Sequence, residues 1–273
     1  MTDTHNALIE SLVQLIEDKG LSLPTLPDVA LQVRAIAENH DSSAHDLAAA
    51  IARDPAIAAR LVQIANSPLY RGLAEITSLP QIVTRLGMRT ISQLVVSITM
   101  QQSFRAHTPI IQQRMRRHWE YSTQVSALSQ MLARKHRHLD PDQALLAGLT
   151  HAIGALPVYA IAEDLPKLMH HPELLDQLAG ELQPRLGGQI LHAWGFPEPL
   201  VDVVVKCQNL QRDHQGPPDY VDVVIVATLQ ARNDQASPEN NWVGVPAAEK
   251  LGVDTGASPL ADEMDEIMKA MLG

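Results

Sequence analysis

Two Asp-Pro dipeptides constrain the fold of this chain more than any other feature. Asp54-Pro55 and Asp140-Pro141 each stand directly ahead of an apolar stretch. An Asp side chain accepts hydrogen bonds from the free N–H groups of a first helical turn. Pro suits the first helical position, because the N–H it lacks would be unpaired there. Behind the first dipeptide, Ile57, Leu61 and Ile64 recur at i, i+4 and i+7, one face of a helix. Ser43, with Asp46 three residues on, forms a capping-box pattern ahead of Leu47, Ala50 and Ile51. Stop signals alternate with the starts. Asn66-Ser67-Pro68 ends one helix, since a residue before Pro is pushed out of the α region. The next helix opens at Ser78-Leu79-Pro80, carries Ile82, Val83 and Leu86, and stops at Gly87. Thr90 is read as the cap of its successor, where Ile91, Leu94, Val95 and Ile98 repeat. Thr108-Pro109 marks a break before a helix around Trp119 to Leu132 and a basic turn.

The fold expected from this punctuation is all-α. Aromatic residues make up 3% of the chain, so Leu, Ile, Val and Ala must fill its core, which favours helix-on-helix packing over a β-sandwich. Two runs resist assignment by pattern. Val201-Asp202-Val203-Val204-Val205 and Val221-Asp222-Val223-Val224-Ile225-Val226 are strands by propensity, while length and flanks leave strand and helix both open. Residues 231–244 are polar and turn-rich and read as a loop. Met264, Ile267, Met268 and Met271 form a last amphipathic stripe expected to dock on the body.

Several function classes are disfavoured at once. The formal net charge of −10 argues against bulk attraction to nucleic acid or anionic lipid. The exception is a basic middle, with Arg105, Arg114, Arg116, Arg117, Arg134, Lys135 and Arg137; it reads as solvated helix faces or as a patch for a nucleotide, RNA or acidic partner. The single Cys207 excludes an internal disulfide and suits a reducing compartment. No secretory signal is visible, and no uninterrupted apolar run approaches the roughly 20 residues that span a bilayer, so a cytoplasmic protein without a membrane role is expected. There is no GxxxxGK[ST], GxGxxG, CxxC or Ser/His/Asp order.

A set of short pieces in fixed order carries a resemblance. They are Leu23-Pro24-Thr25-Leu26-Pro27, Asp54-Pro55, Ala65-Asn66-Ser67-Pro68 with Tyr70, Ile76 with Leu79, and Leu86-Gly87. Further on come Trp119 with Ser122, Leu146 to Leu156, and Trp194-Gly195-Phe196-Pro197. Together, over roughly residues 20 to 230, they resemble the HDOD family, a divergent branch of the HD phosphohydrolase superfamily found in bacterial signalling proteins. The resemblance implies an HD-like helical bundle with an N-terminal helical subdomain, and turns both valine-rich runs into buried helices. The expected division is an N-terminal subdomain over 1–108, a degenerate HD-like subdomain over 109–230, and a loop with a docking helix over 231–273.

The resemblance also implies where a working HD site would place its ligands: a His, a His-Asp doublet, further His residues and a distant Asp, holding metal that activates water. The first His position falls on Tyr121. The doublet is His151-Ala152, and alanine has no donor atom. A further His would be Gln183, a His-His pair falls on Cys207-Gln208, and the last Asp falls near Ala227-Thr228. Only His151 keeps a good ligand, whereas a catalytic site needs about three. No cofactor and no metal are expected; any residual ligand would be His151.

The implied function is a non-catalytic signalling or regulatory module that binds a partner protein or a small ligand, or associates as a homodimer. Two alternatives stand beside it. One is a metal-dependent phosphohydrolase with non-standard ligands from His151, His170, His171 or His192. The other is nucleotide or nucleic-acid binding by the central basic region. Individual residues carry a structural and a functional reading. His151 reads as a core histidine hydrogen-bonded inside the bundle, or as a switch, and Gly148, Gly154 and Ala155 beside it suggest close helix packing. His170-His171, before Pro172, reads as an exposed loop pair. Cys207 reads as a buried structural thiol, or as a redox sensor activated by Lys206. Asn66 and Ser67 read as a helix end, or, with Arg114, Arg116 and Arg117, as a partner surface. Trp119, Trp194 and Trp242 read as packing residues.

Overall fold

A computed structural model describes residues 26–66, 70, 76, 78–103, 106–169, 171–233 and 244–253. Ser67, Arg105, His170, Trp242 and the C-terminal stripe from Met264 to Met271 lie outside these residues. The described residues are helical, with no strand among them. In chain order the helices are α1 (Asp28–Glu38), α2 (Ala44–Ile51), α3 (Pro55–Ala65), α4 (Leu79–Leu86), α5 (Met88–Ser103), α6 (Pro109–Ala133) and α7 (Pro141–Thr150). They continue as α8 (Ala155–Ala162), α9 (Pro166–Met169), α10 (Pro172–Ala193), α11 (Glu198–Lys206), α12 (Tyr220–Asn233) and α13 (Pro246–Leu251).

The start signals work as the chemistry requires. Asp54 accepts from the N–H groups of Ala56 and Ile57, and Asp140 from that of Asp142. Ser43 and Asp46 complete a reciprocal capping box. Gly87 ends α4 at a φ of 81°, which a side chain would strain. Three expectations are corrected. Thr90 caps nothing: α5 begins directly after Gly87, and the Thr90 hydroxyl instead donates to Asp142 of α7. The helix around Trp119 begins ten residues earlier than that tryptophan, at Pro109. The segment read as a loop from residue 231 is still helix as far as Asn233, with Ala231 buried.

Both valine-rich runs are helices, α11 and α12, and Val203, Val204, Val223 and Val224 are fully buried. Burial on helix-lined surfaces outweighs their β-propensity. α6 is the axis of the C-terminal half and is buried from Ser122 to Ala133. Its N-terminus is capped from afar, since the Glu163 carboxylate accepts from the backbone N–H groups of His107 and Thr108 and from the Thr108 hydroxyl.

Glycine permits two close approaches of backbone to backbone. A Cβ on Gly148 would lie 2.6 Å from the Ser126 Cα on α6, and one on Gly154 would lie 2.1 Å from the Gln183 carbonyl oxygen and 2.4 Å from the Gly187 nitrogen on α10. Both obstacles at Gly154 are backbone, so α8 and α10 would have to separate. Gly154→Ala is therefore expected to lower stability by about 1–3 kcal/mol. A urea midpoint equal to that of the parent would show that the two helices can part without loss.

The helical stretch Pro141–Ala162 is apolar and long enough on average to cross a membrane, with mean hydropathy 1.7, although 83% of its apolar window is buried in the body. Asp142, Gln143 and His151 interrupt it, which is why it does not read as an apolar run in the sequence.

One apolar core runs through both halves, and polar contacts reinforce the seam between the N-terminal helices and the C-terminal half. Thr90 bonds Asp142, and Arg89 lies 3.4 Å from Asp140. Arg34 of α1 donates to the carbonyls of Trp194 and Gly195 and lies over the Phe196 ring at 5.0 Å, so one guanidinium holds the Trp-Gly-Phe-Pro turn by two hydrogen bonds and a cation–π contact.

Candidate functional site

α6, α8, α10 and α12, with the segments that follow α7 and α11, surround a cavity of about 520 Å³. All seven positions singled out in the sequence line it: Tyr121 from α6, His151 and Ala152 after α7, Gln183 from α10, Cys207 and Gln208 after α11, and Thr228 from α12. Sequence reading missed His118, Asp176 and Arg232, which line it too. His118 precedes Tyr121 by three residues, so the two share a face of α6, a spacing that was available in the sequence.

A carboxamide network holds the centre. Gln183 Nε2 donates to the carbonyl of His151, which ends α7, and at 3.2 Å to that of Val204 in the last turn of α11. Carbonyls at helix C-termini have no partner of their own, so one amide satisfies two helix ends. Gln208 Nε2 donates to Gln183 Oε1 and, at 3.1 Å, to the carbonyl of Gly180. That carbonyl is free because its partner in the helix would be residue 184, which is Pro184 and has no N–H. His118 completes the set by donating from Nε2 to the Ala152 carbonyl at 2.9 Å.

The inner groups are uncharged at neutral pH. Burial pushes His151 down from 6.5 to about 4, despite the 2.6 Å hydrogen bond from its Nδ1–H to the Gly148 carbonyl. That bond selects the tautomer and leaves Nε2 as an acceptor. Burial also lowers His118 and raises Tyr121, and it lifts Cys207 to about 12. Lys206 does not activate the thiol: it is ion-paired with Asp202 at 2.7 Å, and Cys207 is the buried residue that ends α11. The charged side chains that line the cavity are Glu181, Arg232 and Asp176, the last of which pairs with Arg114.

These residues do not fit a catalytic metal. Among the described residues, the one set of three groups whose ligand atoms come within 4.8 Å of one another is His214, Asp219 and Asp222. Those carboxylates already face a guanidinium: Arg212 donates to Asp222 at 2.8 Å and to Asp219 at 2.6 Å. Asp222 is fully buried and also accepts from His214 Nε2 at 2.7 Å and from the Asp219 N–H at 3.0 Å. Asp219 in turn caps α12. The arrangement ties the 207–219 segment to α12. His171 is exposed at the start of α10, and His192 is exposed and lies 3.7 Å from Glu198; neither lines the cavity with His151.

The remaining sequence candidates are dispersed. Asn66 ends α3, and its amide pairs on both sides with the backbone of Ile76. Arg116 and Arg117 are exposed on α6. The basic residues at the far end, Arg134 and beyond, lie about 25 Å further along that helix, at 1.5 Å per residue, so the central basic region is not one patch.

An all-helical bundle built around this cavity has the architecture of the HD-like helical folds. The HDOD domain family matches residues 23–210, and the chain belongs to that family. It is similar over 99% of its length, at 30% identity and a TM-score of 0.85, to the whole of the "putative metal-dependent phosphohydrolase" structure from Shewanella amazonensis SB2B. An HDOD domain protein of unknown function from Geobacter sulfurreducens shares the fold, with TM-score 0.69, 17% identity and coverage of 99% and 98% of the two chains. So does a "putative signal transduction protein" from Marinobacter aquaeolei VT8, with TM-score 0.62, 19% identity and coverage of 98% of this chain and 66% of that one. No curated relative matches the chain.

Proposed function

We propose that this chain is a non-catalytic regulatory module that binds a signalling partner or a small ligand, with the cavity around His151 as its ligand site. One observation carries the reading: the seven aligned positions offer a single imidazole and no carboxylate, and two of them are amides that join helix ends. The other lining candidates, His118, Asp176 and Glu181, form no close set of three ligands with His151 among the described residues. A histidine near 4 is a weak base, and a thiol near 12 is a poor nucleophile, at neutral pH. The cavity volume falls within the range of roughly 300–1,000 Å³ typical of small-molecule sites. The exposed Arg116 and Arg117 on α6 are the proposed protein contacts, in place of a continuous basic patch.

The competing reading, a metal-dependent phosphohydrolase, draws on the relative from Shewanella. Metal content separates the two. After dialysis against metal-free buffer, mass spectrometry should find less than about a tenth of an equivalent of any transition metal, since genuine sites hold metal tightly. Close to one equivalent of Fe, Mn or Zn, lost in His151→Ala, would overturn the proposal.

A further inference from the structure

A second cavity, of about 340 Å³, lies on the seam between the N-terminal helices and the C-terminal half. Arg89, Gln93 and Val96 of α5 line one side, and Leu146 of α7 with Phe196 and Leu200 lines the other. The three residues of α5 stand at i, i+4 and i+7, so a single helix face presents a cation, an amide and an apolar surface in order.

Gln93 is the informative residue. It is 9% exposed, and its amide oxygen has no hydrogen-bond partner. A buried acceptor left unpaired is unfavourable and rare, so it calls for a donor. Gln93 lines the cavity, and the last torsion of a Gln side chain is soft, so the oxygen can turn to meet a donor held there. Arg89 is the second handle. Its side chain is 74% exposed, and its ion pair with Asp140 is long, at 3.4 Å, so a carboxylate ligand competes with it readily. Arg34 also borders the cavity but is committed to Glu38, the Trp194 and Gly195 carbonyls and the Phe196 ring.

We infer that this seam cavity binds a small organic anion carrying an N–H or O–H donor on an apolar body. The anion sits on Arg89, the donor meets Gln93, and the body rests on Val96, Leu146 and Leu200. Such a ligand touches α5 and α7 at once, so it couples the two halves of the chain independently of the cavity around His151.

The probe is 4-aminobenzoate, whose amine and carboxylate are separated by about the i, i+4 distance of 5–6 Å. Benzoate, which lacks the donor, is the control. Calorimetric titration of the full chain should show saturable 4-aminobenzoate binding. Gln93→Leu should weaken it about five- to tenfold, the effect of one lost hydrogen bond, and leave benzoate binding unchanged. Arg89→Ala should weaken both ligands. The Tm of Gln93→Leu should hold or rise, because the substitution removes an unpaired amide. Absence of saturation up to about 10 mM, where a ligand of this size should register, would overturn the inference. So would binding that neither substitution changes, or a Tm that falls well below the parent's in Gln93→Leu.

Discussion

Asp222→Ala should lower the stability of this protein by about 3–5 kcal/mol, the cost of removing one partner from a buried charge pair. The carboxylate has no exposure and receives three donors, from Arg212, His214 and the Asp219 backbone. Its removal leaves Arg212, 15% exposed, with Asp219 alone, and strips His214 Nε2 of its close acceptor. Asp222→Asn keeps the shape and one acceptor oxygen and should fall between the two. Urea unfolding of the three proteins decides it. A loss under about 1 kcal/mol for Asp222→Ala would mean that the pairs behave as surface ion pairs do. Because these residues are remote in role from the cavity around His151, ligand binding there should survive wherever the chain remains folded.

The second large effect is acid sensitivity from His151. Its folded value of about 4 lies below the ordinary 6.5, so between these limits the unfolded chain binds the extra proton and the folded one does not. Stability is then full above 6.5 and falls as the pH drops toward 4. With 1.36 kcal/mol per unit, this one group accounts for about 3 kcal/mol across the window. His118, lowered by the same burial, acts in the same direction. Asp46, Asp213, Asp219 and Glu163 are all held below the ordinary carboxylate range, so their contributions fade only at lower pH. His151→Gln should flatten the dependence of the urea midpoint between pH 6.5 and 4.5. An equally steep profile in that variant would place the acid sensitivity elsewhere.

Local chemistry made much of the fold legible. Asp54, Asp140, Ser43 and Gly87 act within a few residues of themselves, so their roles could be read directly. Distant partners could not. Thr90 looks like a cap until Asp142 is found beside it, and nothing near Thr108 shows that Glu163 caps α6 from 55 residues away. The start of α6 was obscured because its first turns bury only Ile111 and Met115, while Gln112, Gln113, Arg116 and Arg117 are exposed, which leaves little apolar period to read. The valine-rich runs read as helix through the family resemblance, since their propensity points the other way. For the site, resemblance placed seven residues that do line one cavity. It did not show what Gln183 and Gln208 accomplish, because that depends on the gap Pro184 leaves at Gly180. Asp222 went unnoticed as one polar residue in an apolar run, although its burial makes it the anchor of α12.

Pro184 and its two glutamine neighbours also make this interior selective for amide side chains. A neutral histidine carries one N–H, so at position 183 it could not donate to both the His151 and Val204 carbonyls while accepting from Gln208. A histidine at 208 would face the same shortage between Gln183 and Gly180. Either histidine would thus leave a carbonyl of this network without its donor.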